Sequence, residues 1–234
     1  GIEHYKVRKL IKKERWRGKV IPCRWIWDNP RGAGWRARIV VKNFRDGEEA
    51  NIFAATPDNI VFKYFLSDLA SDPEEVCCIV DAKWAFLQSP VKLPQDPSGE
   101  LDGAPEKKVI VDPPPGVDDG YYWDCQSSVP GLRSASRSYQ DHSSTQYQEG
   151  MKCDRNAQEP CAYMNRENKV KMQQHGDDAM LKGTRKAVIE MTKKMQELID
   201  CKVGPIIGLG PMDAREGLFL KKNFGVIPQG WWYE

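Results

Sequence analysis

Three aspartates carry the chemistry that this sequence suggests. Asp81 closes a short apolar run at residues 76–80 (VCCIV), and Asp177–Asp178 follows 96 positions later, at the tip of an expected hairpin. Carboxylates at strand ends that fold side by side can clamp two Mg²⁺ ions about 3.5–4 Å apart. Such ions sharpen a hydroxyl into a nucleophile and neutralise charge on a transferring phosphoryl group. Mg²⁺ takes hard oxygen ligands and keeps several waters, so two or three aspartates suffice. An isolated Asp-Asp pair is more often turn chemistry, and Asp118–Asp119 is read that way. Asp177–Asp178 gains weight from the company it keeps.

Other donor sets are weaker. The seven cysteines are odd in number and irregular in spacing, and adjacent Cys77–Cys78 lie in an apolar run, as buried free thiols do in reducing compartments. A zinc site from Cys125, His142, Cys153 and Cys161 has no CxxC spacing to support it. Composition bounds the rest: 40% hydrophobic and 29% charged residues describe a globular chain rather than a disordered one. No run of about eighteen apolar residues exists, so no membrane partner is expected. The N-terminus lacks the apolar core of a secretory signal. With the thiols, this points to an intracellular protein, cytoplasmic or nuclear. The sequence begins without Met, as a piece of a longer chain would.

The net charge of +2 hides an asymmetry. Residues 1–45 hold fourteen Lys or Arg against three acids, whereas the remainder holds twenty-one against thirty. A basic arm on an acidic body suits contact with polyanions, although a solvated basic helix accounts for the charge equally well.

The elements that must position the aspartates follow from periodicity. Residues 20–27 (VIPCRWIW) and 35–44 (WRARIVVKNF) are rich in β-branched and aromatic residues, and the turn-forming DNPRGAG between them predicts a β-hairpin. Thr56-Pro57-Asp58 starts a helix whose Phe62, Phe65, Leu66 and Leu69 share one face, and Asp72-Pro73 ends it. Residues 76–80 read as a buried strand, 93–120 as a proline-rich loop holding a short strand at 108–111, and 134–150 as helical. A hairpin is expected over 163–178, turning at 165–168, and a second helix over 184–200. This mixture predicts an α/β or α+β protein.

The chain resembles the reverse transcriptases of copia-type long-terminal-repeat retrotransposons. VIPCRWIW and WRARIVVKNF look like the family's opening strands, and IVDAKWAFLQSPV resembles its catalytic segment. KKVIVDPPPG, VPGLRSASRSY, EPCAYM and HGDDAML are similar to later motifs, in the family's order, over about residues 19–220. The resemblance implies an α+β fold of fingers and palm, with an antiparallel palm sheet and packed helices. It divides the chain into a basic arm (1–19), a fingers-like hairpin and helix (20–75), a palm-like catalytic region (76–220) and a tail or the start of a further segment (221–234). It implies RNA-directed DNA polymerisation as part of a Pol polyprotein, by two-metal nucleotidyl transfer. The cofactor would be two Mg²⁺ ions, with Mn²⁺ as a substitute. The partners would be an RNA or DNA template-primer and deoxynucleoside triphosphates.

Carried over by position, Asp81 and Asp177 are metal ligands and Asp178 is the supporting third carboxylate. Phe86 is the aromatic gate against a ribose 2′-hydroxyl, or else a core phenylalanine. Arg36 and Arg38 approach the triphosphate, where guanidinium forks suit phosphate oxygens. Gly131 and Arg133 belong to the nucleotide-binding turn, Gly131 because backbone must come close to the ligand.

The sequence also departs from the family. The strand before Asp177 is polar (residues 170–176, VKMQQHG), so Lys171, Gln173 and Gln174 need partners or cost stability. Gly176 adds freedom beside a metal ligand, and His175 is expected to be neutral or solvent-facing. Lys182 stands where apolar residues are usual, Ser136 replaces a proline, and Ser127 and Ser128 replace basic residues. A catalytically decayed nucleic-acid-binding relic is therefore the alternative reading, and a two-metal nuclease a more distant third.

Overall fold

A computed structural model describes residues 1–29, 34–44, 52–91 and 108–234. Part of the expected turn after Asp28 and the prolines at 94, 97 and 105 lie outside the described residues. In chain order the elements are β1 (Arg8–Lys12), β2 (Ile21–Asp28), β3 (Arg36–Val41), α1 (Asn59–Ala70), β4 (Glu75–Ala82) and α2 (Ala85–Gln88). Next come β5 (Ile110–Asp112), β6 (Tyr121–Cys125), α3 (Ala135–Thr145), β7 (Asp154–Arg155), β8 (Ala162–Asn165) and β9 (Val170–His175). The chain finishes with β10 (Asp178–Thr184), α4 (Arg185–Leu198), β11 (Cys201–Ile207), β12 (Glu216–Phe219), β13 (Lys222–Ile227) and β14 (Gly230–Tyr233). The protein is α+β, with mainly antiparallel sheets.

Two compact units interleave along the sequence. One comprises Gly1–Ala54 and Trp84–Tyr139, the other Ala55–Lys83 and Gln140–Glu234.

In the first unit the strands order as β1-β6-β5-β2-β3, with only β2 and β5 parallel. The basic N-terminal stretch contributes β1, paired antiparallel to β6, rather than a helix. Trp123, fully buried, anchors the core with Val111, Val41, Leu132 and Leu87. Its indole nitrogen donates to Asp118 at 2.7 Å, and Arg8 donates to the same carboxylate at 2.8 Å. Asp118 thus ties β1 to the loop before β6, beyond the turn it was expected to make.

In the second unit six strands order as β11-β4-β10-β9-β8-β7, every pair antiparallel. The expected helix is α1, capped by Asp58, whose side chain accepts from the Ile60 amide at 2.9 Å. Phe62, Phe65, Leu66 and Leu69 bury against Cys77, Met180 and the separate sheet β12-β13-β14. The Phe62 ring lies 5.7 Å from Phe224 and 6.1 Å from Phe219. On the opposite sheet face Val188 of α4 packs on Val76 and Cys78. β13 and β14 pair and close that small sheet.

Candidate functional site

β4 and β10 run antiparallel in a register that sets Asp178 opposite Asp81. The same row continues outward, with Lys202 of β11 opposite Asp81 and His175 of β9 opposite Asp178. Residues directly opposed across an antiparallel ladder project to the same face. The four side chains therefore form one row, Lys202–Asp81–Asp178–His175, on the sheet face that carries Ile79 and Met180. Asp177 occupies the two-residue turn between β9 and β10, and its carbonyl accepts from the Ala82 amide at 2.9 Å.

Gly176 explains itself in this setting. Its φ is +61°, and Asp177 is not among the positive-φ residues, the pattern of a turn with glycine at its first central position. The glycine shapes the hairpin that presents Asp177 and Asp178.

Crowded carboxylates perturb one another. Asp178 is half-buried, and burial, reinforced by the charges of Asp177 and Asp81, pushes its carboxyl up to about 6. Burial and the Asp177 charge also raise Asp81, opposed by the ammonium of Lys202. A bound cation would relieve this repulsion. Among the described residues no group of three His, Cys, Asp or Glu stands close enough together to hold a metal by itself. Opposed carboxylates with hard oxygen donors nevertheless fit Mg²⁺, which completes its shell with water and substrate phosphate.

The polar strand finds most of the partners that its composition demands. Lys171 donates to Asp68 at 2.6 Å and to the Tyr64 hydroxyl at 3.0 Å. The Gln174 amide donates to Ser143 at 2.9 Å and to the Gly176 carbonyl at 3.0 Å. Lys182, only 1% exposed, pairs with Asp68 and Glu75. Gln173 is the exception, since both of its buried amide atoms lack a partner. His175 is half-buried rather than solvent-facing, and its Nδ1 likewise lacks one.

The other expected site residues belong to the first unit. Arg36 and Arg38 are exposed on one face of β3, opposite Asp28 and Ile26. Arg24, opposite Val40, joins the same face, and the pattern of β2 alone did not single it out. The turn bearing Gly131 and Arg133 is clamped to β3. The Val41 amide donates to the Pro130 carbonyl at 2.8 Å, and the Arg133 amide donates to Asn43 at 3.1 Å. Gly131 has φ +93°, and a Cβ there would meet the Val41 carbonyl oxygen at 2.1 Å. The close approach that demands glycine is to β3. Phe86 lies in α2, half-buried at the margin of the first core.

Two further residues, besides Arg24, escape a reading of the sequence alone. Lys202 has no motif of its own, and only strand register reveals it beside Asp81. Glu75 looks like a strand-start acid until Lys182 is seen to reach it. No helix among the described residues is long and apolar enough to cross a membrane. No protein-family model matches the chain, and no curated protein matches it.

Proposed function

We propose that the chain is the RNA-directed DNA polymerase domain of a copia-type retrotransposon polyprotein, with the second unit as palm and the β2–β3 hairpin as part of the fingers. The observation that carries this reading is the direct opposition of Asp81 and Asp178, from motifs 96 positions apart, with Asp177 in the adjoining turn. Asp81 and Asp177 would hold two Mg²⁺ ions, or Mn²⁺ in their place, with Asp178 as a third carboxylate; when bound, the ions would activate the primer 3′-hydroxyl and neutralise charge on the phosphoryl group. Lys202 balances part of the negative charge beside Asp81. Arg36 and Arg38 bind triphosphate oxygens of the incoming deoxynucleotide, and Arg133 supports the nucleotide-binding turn. Phe86 excludes the ribose 2′-hydroxyl by bulk. The basic first 45 residues hold template-primer phosphates.

A second reading, a catalytically decayed relic that binds nucleic acid, draws on the unpartnered Gln173 amide beneath the carboxylate row and on the absence of a closed ligand cage among the described residues. Primer extension on a primed RNA template, in Mg²⁺ and then Mn²⁺, separates the two. The polymerase reading expects extension by the parent and none by Asp177→Asn. Tight, salt-sensitive binding of primed template without extension by either protein would establish the relic.

A further inference from the structure

The central strands of the second unit pose a problem of register. Most side chains along β4 and β10 are buried on both faces. On one side Cys77 and Met180 pack into the α1 cluster; on the other Val76 and Cys78 pack against Val188. Where one face is polar, alternation fixes the pairing, because a one-residue slip would turn apolar groups to water. Here a slip exchanges apolar for apolar, and alternation fixes little. The β9–β10 register is set by the two-residue turn at Gly176–Asp177. β4, which reaches β10 from far along the chain, has no such turn.

Among the buried side chains of these two strands, one is charged. Lys182 lies opposite Cys77 on one neighbour and Lys171 on the other. Its ammonium pairs with Asp68 of α1 and Glu75 at the start of β4. Asp68 also takes Lys171 at 2.6 Å, so one carboxylate bridges two lysines that would otherwise repel. Burial would raise the Asp68 carboxyl, yet hydrogen bonds from both lysines hold it below the usual carboxylate range. Two strands, one helix and one strand start therefore meet at a single buried charge.

We propose that Lys182 is the register pin of the sheet, a positioning residue that sets Asp178 opposite Asp81. A slip of one residue would turn its ammonium toward Val76, Cys78 and Val188, and a slip of two would draw it a full rung along β4. Either leaves a buried charge without its partners, which is strongly disfavoured. Either also moves Asp178 off Asp81, to face Val80 or Ala82, or else Ile79 or Lys83. A buried polar group that fixes register at some cost in stability is the best-attested use of such groups.

Only the importance of the carboxylate pair rests on the proposed function. Register is read without metal or nucleic acid, so failure of one idea is distinguishable from failure of the other. The experiment is amide–amide NOE spectroscopy across β4 and β10 in the isotopically labelled chain. It compares the parent with Lys182→Arg and with the neutral Lys182→Met/Glu75→Leu variant, which leaves the Asp68–Lys171 pair in place. The parent and Lys182→Arg give one set of cross-strand contacts, with position 178 facing 81. The neutral variant melts cooperatively but gives a second, shifted set or loses the 178–81 contact. A single set in the parent register for the neutral variant would overturn the inference. Loss of cooperative folding in that variant would overturn it too, because it would make the cluster a determinant of stability rather than register.

Discussion

Asp178 is held protonated to an unusually high pH by burial and by the charges of Asp177 and Asp81, with its carboxyl pushed up to about 6. An ordinary carboxylate titrates near 4. The folded state therefore binds this proton more tightly than the unfolded chain does. The associated stability is fully present below about pH 4 and is lost as pH rises through about 6. Asp178→Asn is expected to raise the melting temperature at pH 7.5 and to leave it unchanged at pH 4. Discounted for partial exposure, the gain is about 1 kcal/mol, or roughly 2–4 °C for a chain of this length. Saturating Mg²⁺ should shrink the difference, because it stabilises the parent, with three carboxylates, more than the variant with two. Calorimetry at the two pH values checks the sign. Gly131→Ala tests another residue-scale claim. With φ +93° and Val41 backbone in the path of a Cβ, it should destabilise the first unit by at least about 2 kcal/mol, read by urea denaturation.

Elements with their own local signals were legible in the sequence. The β2–β3 hairpin, α1, β4, the β8–β9 hairpin and α4 follow from periodicity, helix start signals and turn chemistry, although the cap of α1 is Asp58 rather than Thr56 and β4 runs one residue past Asp81. Asp58→Ala should accordingly cost about 1 kcal/mol, measured as a lower urea midpoint with unchanged slope. Elements whose reason is distant were not legible. β1 looks like a basic arm because its burial depends on β6, over a hundred positions away. β11 is hard to read because Gly204 and Pro205 interrupt its strand pattern, where the pairing with β4 shifts between Val203 and Ile206. The polarity of β9 looked like a defect because Ser143, Tyr64 and Asp68, which satisfy Gln174 and Lys171, lie on helices far away in sequence. The three aspartates were legible, whereas Lys202 and Glu75 enter only through register.

At the scale of the whole molecule, charge is divided unevenly along the sequence, with a balance of +11 over residues 1–45 and −9 over the rest. β1 and the β2–β3 hairpin bring part of that charge into one sheet. Binding of a primed template should weaken steeply with salt, and Lys9→Ala and Arg24→Ala, at exposed basic positions of β1 and β2, should each lower the logarithmic salt slope by about 1, without sequence preference. Fluorescence anisotropy titrations from low to physiological salt would show it. The central claim is that the opposed carboxylates work as one polymerase site. Single-turnover addition of one deoxynucleotide to a primed RNA template in Mg²⁺, comparing the parent with Asp81→Asn, Asp177→Asn and Asp178→Asn, tests it most directly. The account predicts addition by the parent, losses on the order of 100-fold or more for Asp81→Asn and Asp177→Asn, and a smaller loss for Asp178→Asn. No addition by the parent, or equal rates in all four proteins, would contradict it.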